Sequence, residues 1–184
     1  MSEKLIENCD KKIKIIKIIK ADASHYQEIS FLGRETFAET FRYLFKPDTL
    51  ERFLEYTYNP EKIKKSLIEE GNHFLLAYFN NEPVGYAKII ENSFYDGISD
   101  SNQIQIEKFY ILSDFHRLGV GSLIMEEGLE LFKKLSPITV WLAVLETNYK
   151  AINYYKKSGF EKSGKYYYNF EDLNFTFDVM YLKV

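Results

Sequence analysis

The segment at residues 114–122, with the sequence DFHRLGVGS, most constrains how this chain can fold. It follows an apolar run at residues 104–112 that is typical of a β-strand, and it opens an amphipathic pattern typical of a helix. A strand that enters a helix through a glycine turn leaves backbone N–H groups and the positive end of the helix dipole at that turn. Gly119 and Gly121 allow close approach of a ligand, and Arg117 adds positive charge. The segment therefore predicts an anion-binding site.

Length and composition predict one soluble cytoplasmic domain. The chain has 184 residues, of which 46% are hydrophobic and 28% charged, as in ordinary globular proteins. The net charge of −3 argues against a nucleic-acid partner and fits a cationic small molecule. The single cysteine, Cys9, excludes an intrachain disulfide and fits a reducing compartment. No apolar run approaches the roughly 20 residues that span a membrane, and no cluster of side chains indicates a metal site.

The hydrophobic pattern predicts seven β-strands, at residues 11–20, 73–79, 84–90, 104–112, 138–145, 160–168 and 175–182. Residues 80–82 indicate a hairpin turn, and a polar loop is expected over residues 91–102. The first run, KKIKIIKIIK, could also form a basic amphipathic helix, but its β-branched isoleucines favour a strand. Residues 1–10 are polar and are predicted to form a flexible tail.

Five helices are predicted from their starting signals. Ser24 and Gln27 have the spacing of a capping box, while Pro47 and Pro60 mark the starts of the next two helices. The glycine turn begins a fourth helix and Asn148 a fifth. This order predicts a single α/β domain spanning the whole chain, with a mixed sheet flanked by helices.

Two common phosphate-binding motifs do not fit the glycine turn. A Walker A loop requires a lysine after its last glycine, and none follows Gly121. A dinucleotide-binding turn requires a third glycine or an alanine at position 124, which is an isoleucine. The predicted anion is therefore not a nucleotide bound in either of these ways.

Two motifs together resemble those of the GNAT superfamily of N-acetyltransferases. The first is the turn at the head of a helix that carries Arg117, Gly119 and Gly121. The second has the family's spacing over Asn148, Ala151, Tyr155, Gly159 and Phe160. The order of strands and helices is also similar. The resemblance implies a GNAT fold, which is a mixed, mostly antiparallel twisted sheet of about seven strands with splayed central parallel strands, flanked by helices. It also implies acetyl-CoA as the co-substrate.

A closer resemblance is to the PaiA-type polyamine acetyltransferases, carried by residues 35–41, 106–111, 141–144 and 151–160. It implies acetylation of a small-molecule amine, a polyamine such as spermidine or spermine, by direct attack in a ternary complex. A protein N-terminus or another small amine is an alternative acceptor. A regulatory module that binds CoA without turnover is a further alternative.

The resemblance to the GNAT superfamily assigns the cofactor contacts. Six residues of the turn would hold the pyrophosphate: Arg117, Leu118, Gly119, Val120, Gly121 and Ser122. The backbone of Phe109, Tyr110 and Ile111 would pair with the pantetheine amides like an added strand. Asn148 would bind the pantetheine arm or serve only as a helix cap, and Lys157 would contact the phosphates.

Catalysis of this reaction requires a base and an acid. A primary amine with a pKa near 10.4 needs about 4.6 kcal/mol to lose its proton at pH 7. Glu107 is the candidate base, directly or by ordering a water, and Tyr155 matches the family's general acid for the CoA thiolate. Tyr154 is adjacent, so either tyrosine could be the acid.

The acceptor is expected between the first two helices and the splayed strands. Glu39 and Glu35 lie one helical turn apart and could attract a cationic amine, or they could form only an exposed acidic face. His116 is interpreted as a polar loop residue. The Tyr- and Phe-rich last strands would line either the acceptor cleft or a homodimer interface.

Overall fold

The computed structural model describes residues 2–7 and 13–184. The described strands are β1 (Ser2–Glu7), β2 (Ile13–Lys20), β3 (Asn72–Phe79), β4 (Glu82–Glu91), β5 (Gln103–Ile111), β6 (Thr139–Leu145), β7 (Glu161–Phe170) and β8 (Leu173–Lys183). The described helices are α1 (Tyr26–Phe41), α2 (Pro47–Thr57), α3 (Pro60–Ile68), α4 (Val120–Phe132) and α5 (Tyr149–Lys157).

Across these ranges the strands form one sheet of eight, in the order β1-β2-β3-β4-β5-β6-β8-β7. The pairs β1–β2, β2–β3, β6–β8 and β7–β8 are antiparallel. Strands β5 and β6 are parallel, with residues 103–105 opposite residues 139–141. The predicted mixed, mostly antiparallel sheet with a parallel pair is confirmed, with one strand more than expected.

The additional strand is β1. The predicted flexible tail at residues 1–10 is wrong for residues 2–7, which pair with β2 from Ser2 opposite Ile18 to Glu7 opposite Ile13. Residues 8–12, which include Cys9 and the start of the predicted first strand, lie outside the described residues. A terminal strand tolerates polar side chains, here the exposed Glu3 and Lys4, because it need not be covered on both faces. From the sequence alone, a polar terminal strand of this kind therefore looks like a flexible polar tail.

The chain divides into two compact units. Unit 1 comprises Met1–Lys88 and Lys108–Leu131, and unit 2 comprises Ile89–Glu107 and Phe132–Val184. Strands β4 and β5 contribute residues to both units. The single domain expected from the sequence therefore stays a prediction.

The core of unit 1 joins α1 to the sheet. Ile29 and Leu32 of α1 are fully buried and cluster with Phe74, Leu76 and Tyr86 of β3 and β4. These side chains bury a continuous apolar surface, which is the main stabilising contribution in a domain of this kind. The packing fixes one face of α1 and leaves its other face available for polar contacts.

The N-terminal cap of the α1 segment differs from the prediction. A 3-10 turn, Ala23–His25, precedes α1, and its cap is Asp22. Asp22 Oδ1 accepts a hydrogen bond from Ser24 N at 2.8 Å, and Asp22 N donates to His25 Nδ1 at 3.2 Å. The predicted box of Ser24 and Gln27 is wrong because the carboxylate two residues earlier satisfies the free N–H groups first.

The hairpin between β3 and β4 follows the expected chemistry. Asn80 and Asn81 have φ angles of 50° and 69°, the left-handed values that a two-residue type I′ turn requires at both positions. Asn80 also connects to β2, because its Oδ1 accepts from Ile15 N at 3.0 Å and its N donates to Ile15 O at 2.9 Å. Glu82 begins β4 and is not part of the turn.

In unit 2, a buried glutamine organises the loop at residues 92–102. Gln103 is 3% exposed, and its Oε1 accepts from Tyr95 N at 2.9 Å. Its Nε2 donates to Ile98 O at 2.9 Å and to Asp100 O at 2.8 Å. One side chain therefore connects three positions of the loop.

Tyr95 attaches this loop to β7. Its hydroxyl donates to Lys165 O at 3.1 Å, and its ring lies 5.6 Å from that of Trp141. A Cβ atom at either Gly97 or Gly164 would lie 2.4 Å from an atom of Tyr95. Both glycines are needed because the tyrosine side chain occupies that space.

The Tyr- and Phe-rich strands β7 and β8 pack on each other. Tyr166 lies across from Phe177 with ring centroids 6.2 Å apart, and Tyr168 lies across from Phe175 at 6.4 Å. Such aromatic cross-strand pairs stabilise an antiparallel hairpin. The aromatic content of these strands therefore has a structural explanation within the hairpin.

Candidate active site

The glycine turn of unit 1 links β5 to α4. Arg117 and Gly119 have φ angles of 64° and 89°, so two left-handed residues reverse the chain before the helix. Gly119 O accepts from Leu123 N at 3.1 Å, which is the first hydrogen bond of α4. The amides of Val120, Gly121 and Ser122 precede that bond, as the orphan N–H groups of a helix N-terminus do. The predicted strand, turn and helix are therefore all present.

The side chains of the turn leave its outer face accessible. Arg117 and Ser122 are exposed, Leu118 is half-buried, and Val120 is buried in the interior of unit 1. A Cβ atom added to Gly119 would meet no heavy atom within 4 Å. The surrounding space would therefore admit a side chain. Glycine is required there because of its positive φ angle, not because of crowding. A helix N-terminus with an adjacent cation and open space fits a phosphate group.

The end of β5 is fixed by its backbone and by Tyr110. The ring of Tyr110 packs against the core of unit 1 at 6.0 Å from Tyr86, while Phe109 and Ile111 are half-buried. A Cβ atom at Gly85 would lie 2.7 Å from Tyr110 O. Gly85 was not among the predicted site residues, although a glycine inside an apolar strand signals such a close backbone approach.

His116 connects the turn to the end of β5. Its Nε2 lies 2.8 Å from Ile111 O, and because a carbonyl can only accept, Nε2 carries the donated proton. The interpretation of His116 as a polar loop residue agrees with this contact. It also gives the residue a specific role in shaping the turn.

Glu39 lies on the exposed face of α1 and contacts the segment before the turn. Its Oε2 accepts from Ser113 N at 2.9 Å, and its Oε1 accepts from Ser113 Oγ at 3.2 Å. Ser113 begins the 3-10 turn Ser113–Phe115. Glu35, one turn earlier on α1, is also exposed. The two glutamates were predicted to share one role, but of the two it is Glu39 that contacts the turn segment.

In unit 2, the two candidate acids lie side by side at the end of α5. Tyr155 is 7% exposed, with its ring 5.4 Å from Tyr154 and 5.7 Å from Phe160. Burial raises the pKa of Tyr154, and a hydrogen bond with Ser158 opposes that shift in part. Tyr154 therefore keeps its proton at neutral pH, as a proton donor must.

Three further predicted residues lie in unit 2. Asn148 caps α5, since its Oδ1 accepts from Ala151 N at 3.2 Å. Lys157 is exposed in the last turn of that helix. Glu107 is half-buried in the middle of β5, and its Oε2 atom is inaccessible to solvent. The capping function of Asn148 is confirmed, and a second function toward the cofactor stays a prediction.

An ion-pair cluster that the sequence analysis missed joins β7 to β8. Asp178, 8% exposed, places Oδ1 at 2.8 Å from both Lys162 Nζ and Lys165 Nζ. Burial would raise the pKa of Asp178, but the hydrogen bonds from the two lysines outweigh it, so the pKa lies below its ordinary value. Lys165 also pairs with Glu146, and bonds to both carboxylates raise the pKa of that lysine.

Within residues 2–7 and 13–184, no group of three or more histidines, cysteines, aspartates or glutamates could hold a metal ion. In the same part of the chain, no helix has the length and apolar character needed to cross a membrane.

A family model described as the acetyltransferase (GNAT) family matches residues 34–160. That range is more than half of the chain and contains both the glycine turn and α5. The chain belongs to the GNAT family of acetyltransferases. This GNAT protein is accordingly an N-acetyltransferase, and acetyl-CoA is its co-substrate.

A relative of this GNAT enzyme supports the assignment. An uncharacterized N-acetyltransferase from the pepI 3′ region of Lactobacillus delbrueckii subsp. lactis is 30% identical over 144 residues, which cover 78% of this chain and 83% of the relative.

Two solved structures share the fold. The PaiA N-acetyltransferase of Thermoplasma acidophilum in complex with coenzyme A has a TM-score of 0.71 at 16% identity, covering 92% of this chain and 99% of that one. Arabidopsis thaliana Naa50, in complex with the bisubstrate analogue CoA-Ac-MVNAL, has a TM-score of 0.61 at 18% identity with the same coverage. At these identities the similarity establishes the GNAT fold.

Proposed function

We propose that this GNAT enzyme transfers the acetyl group of acetyl-CoA to a primary amine of a small polyamine, such as spermidine or spermine, by direct attack in a ternary complex. The observation that carries an amine acceptor of this kind is the acidic face of α1, where Glu35 and Glu39 are exposed one turn apart. The Ser113 bonds hold the Glu39 carboxylate in one position without neutralising it. A polycation would be attracted to such fixed negative charges.

The turn at residues 117–122 would bind the pyrophosphate of acetyl-CoA, which supplies the activated acetyl thioester. Arg117 would offer its exposed guanidinium, and the amides of Val120, Gly121 and Ser122 would donate hydrogen bonds. The half-buried strand end at Phe109, Tyr110 and Ile111 would align the pantetheine arm through its backbone. Asn148 and Lys157 are proposed as further contacts to the arm and to the phosphates.

Proton transfer is proposed for two side chains of unit 2. Glu107 would accept a proton from the substrate ammonium group, directly or through an ordered water, because only the resulting neutral amine can attack the thioester. Tyr155 would donate its hydroxyl proton to the departing thiolate. Its position between Tyr154 and Phe160 would hold the phenol in a fixed orientation.

A panel assay of CoA release tests the acceptor class. Spermidine, spermine, lysine and the peptide Met-Val-Asn-Ala-Leu would each be titrated at saturating acetyl-CoA. We expect the highest kcat/KM with a polyamine, and a decrease in that value for Glu35→Ala because the amine loses one attracting charge. Highest kcat/KM with lysine or the peptide would overturn the polyamine assignment. Binding of acetyl-CoA without turnover of any amine would overturn acetyl transfer itself.

A peptide N-terminus is the second candidate, and an aromatic cluster at the first two helices favours it. Phe37 of α1 stacks on Phe53 of α2 at 4.5 Å, and Phe41 and Phe45 lie 4.7 Å and 5.7 Å from Phe37. Phe37, Phe41 and Phe45 are only half-buried, so their rings could accept an apolar side chain. Preference for the peptide in the panel, abolished by Phe41→Ala, would support this candidate.

A further inference from the structure

The contact between Glu39 and Ser113 joins two segments that are 74 residues apart in the chain. Both oxygens of the carboxylate take part, one with the backbone N–H of Ser113 and the other with its hydroxyl. Bonds that involve an ionised acceptor are stronger than bonds between neutral groups. The pair is exposed, so water and salt weaken it and its contribution is moderate.

Ser113 lies between the end of β5 and the glycine turn. It begins the 3-10 turn at Ser113–Phe115, where N–H groups favour a carboxylate partner. Two more contacts hold the same segment: the Phe115 ring lies 5.4 Å from the ring of Phe79, and His116 Nε2 donates to Ile111 O. The path from β5 to α4 is therefore fixed by side-chain contacts from α1, from β3 and from the turn itself.

We propose that Glu39 is a positioning residue for the cofactor turn at residues 117–122. By holding Ser113, Glu39 sets where the chain leaves β5, and so where the amides of Val120, Gly121 and Ser122 point. This inference rests on the proposed binding of the acetyl-CoA pyrophosphate by that turn. Glu39 would then have two roles: its charge attracts the amine, and its bonds to Ser113 connect α1 to the cofactor turn.

The test compares Glu39→Ala with Glu39→Gln by calorimetric titration with CoA. The alanine variant leaves Ser113 without its acceptor, and we expect CoA to bind about threefold to tenfold more weakly, as for loss of an exposed charge-assisted pair. The glutamine variant keeps an oxygen for Ser113 N, so its affinity should stay within about twofold of the original. The matched control, Glu35→Ala, removes equal charge from the same helix and should keep CoA affinity unchanged.

Steady-state kinetics separate positioning from recognition of the amine. For Glu39→Ala, we expect a raised KM for acetyl-CoA, with kcat retained once acetyl-CoA is saturating. Unchanged CoA affinity in Glu39→Ala, or equal loss in the alanine and glutamine variants, would overturn the positioning role. If Glu39→Ala proves unstable, Ser113→Ala provides the same comparison, because it removes one of the two bonds and should weaken CoA binding by a smaller factor.

A separate variant shows which assumption has failed. Gly121→Val places a branched side chain beside the orphan amides and should weaken CoA binding strongly if the turn binds the pyrophosphate. Unchanged affinity in this variant would refute the cofactor turn itself. Weakened affinity in Gly121→Val together with unchanged affinity in Glu39→Ala would leave the turn in place and refute only the role of Glu39.

Discussion

A Cβ atom at Gly85 would lie 2.7 Å from the carbonyl oxygen of Tyr110 and 2.9 Å from Cγ1 of Ile111. Strands β4 and β5 thus approach each other at a point where no side chain fits. The neighbouring hydrogen bond from Leu112 N to Val84 O, at 2.9 Å, keeps the two strands together there. The end of β5 that is proposed to align acetyl-CoA therefore depends on a glycine in the adjacent strand.

We expect Gly85→Ala to lower the free energy of unfolding by about 1–3 kcal/mol, because the added methyl group must displace backbone atoms. CoA affinity should fall as well, since the displaced atoms belong to Tyr110 and Ile111. Urea unfolding and calorimetry measure the two effects. The control Ala87→Gly, on the same face of β4, removes a methyl group and should lower stability while keeping CoA affinity. A Gly85→Ala protein as stable as the original would contradict this prediction.

Gly119 tests backbone strain in the turn. Its φ of 89° is costly for a residue with a Cβ atom, although the surrounding space is open. We expect Gly119→Ala to lower the free energy of unfolding by about 1 kcal/mol, and Gly119→Asn to lower it less, because asparagine tolerates left-handed conformations. Thermal unfolding compares the two variants. Equal stability of Gly119→Ala and the original protein would contradict the strain argument.

Tyr155→Phe removes the proposed acid and keeps the ring that packs against Tyr154 and Phe160. We expect kcat to fall by about 100-fold or more, as for loss of a general acid, with little change in the melting temperature or in CoA affinity. Tyr154→Phe is the matched control and should retain most activity. The opposite ranking of the two variants would assign the acid to Tyr154, and an unchanged kcat in both would remove a tyrosine acid from the mechanism.

Asp178 makes stability depend on pH at the acidic end. Because its folded pKa lies below the ordinary value of 3.8, its contribution is present above that value. The contribution is lost as the pH falls through the folded pKa, where the carboxylate takes up a proton and its bonds to Lys162 and Lys165 weaken. The original protein should therefore lose stability as the pH falls below about 4.

Asp178→Asn should remove that part of the pH dependence. We expect the variant to be less stable at pH 7 by about 1–3 kcal/mol, because two lysines lose a buried anionic acceptor. Its stability should then change less on acidification, measured as urea midpoints between pH 7 and pH 3. Asp172→Asn, at the exposed turn between β7 and β8, should retain the original profile. A variant profile that parallels the original would contradict the prediction.

Much of the fold could be predicted from signals carried by residues that are adjacent in the sequence. Helix α3 begins at Pro60 as expected, and Asn59 caps it, with its side chain accepting from the N–H groups of Glu61 and Lys62. Asn80 and Asn81 form the expected hairpin turn, and the glycine turn leads into α4. In each case, a few adjacent residues determine the local hydrogen bonds.

Features that depend on distant contacts could not be predicted in this way. Strand β1 is stabilised by pairing with β2, and its own composition resembles that of a polar tail. The contact of Glu39 with Ser113 joins distant segments, and Asp178 meets Lys162 and Lys165 only because β7 and β8 pair. An exposed glutamate and an aspartate in a strand carry no local signal of these partners.

The loop at residues 92–102 has a consequence for motion on slow timescales. Its sequence is polar, yet Gln103 binds it at three positions and Tyr95 anchors it to Lys165. The amides of Tyr95 and Ile98, which donate to Gln103 Oε1 and to Tyr95 O, exchange with deuterium only when these contacts open. These two amides should therefore exchange as slowly as those of β5, the strand to which Gln103 belongs.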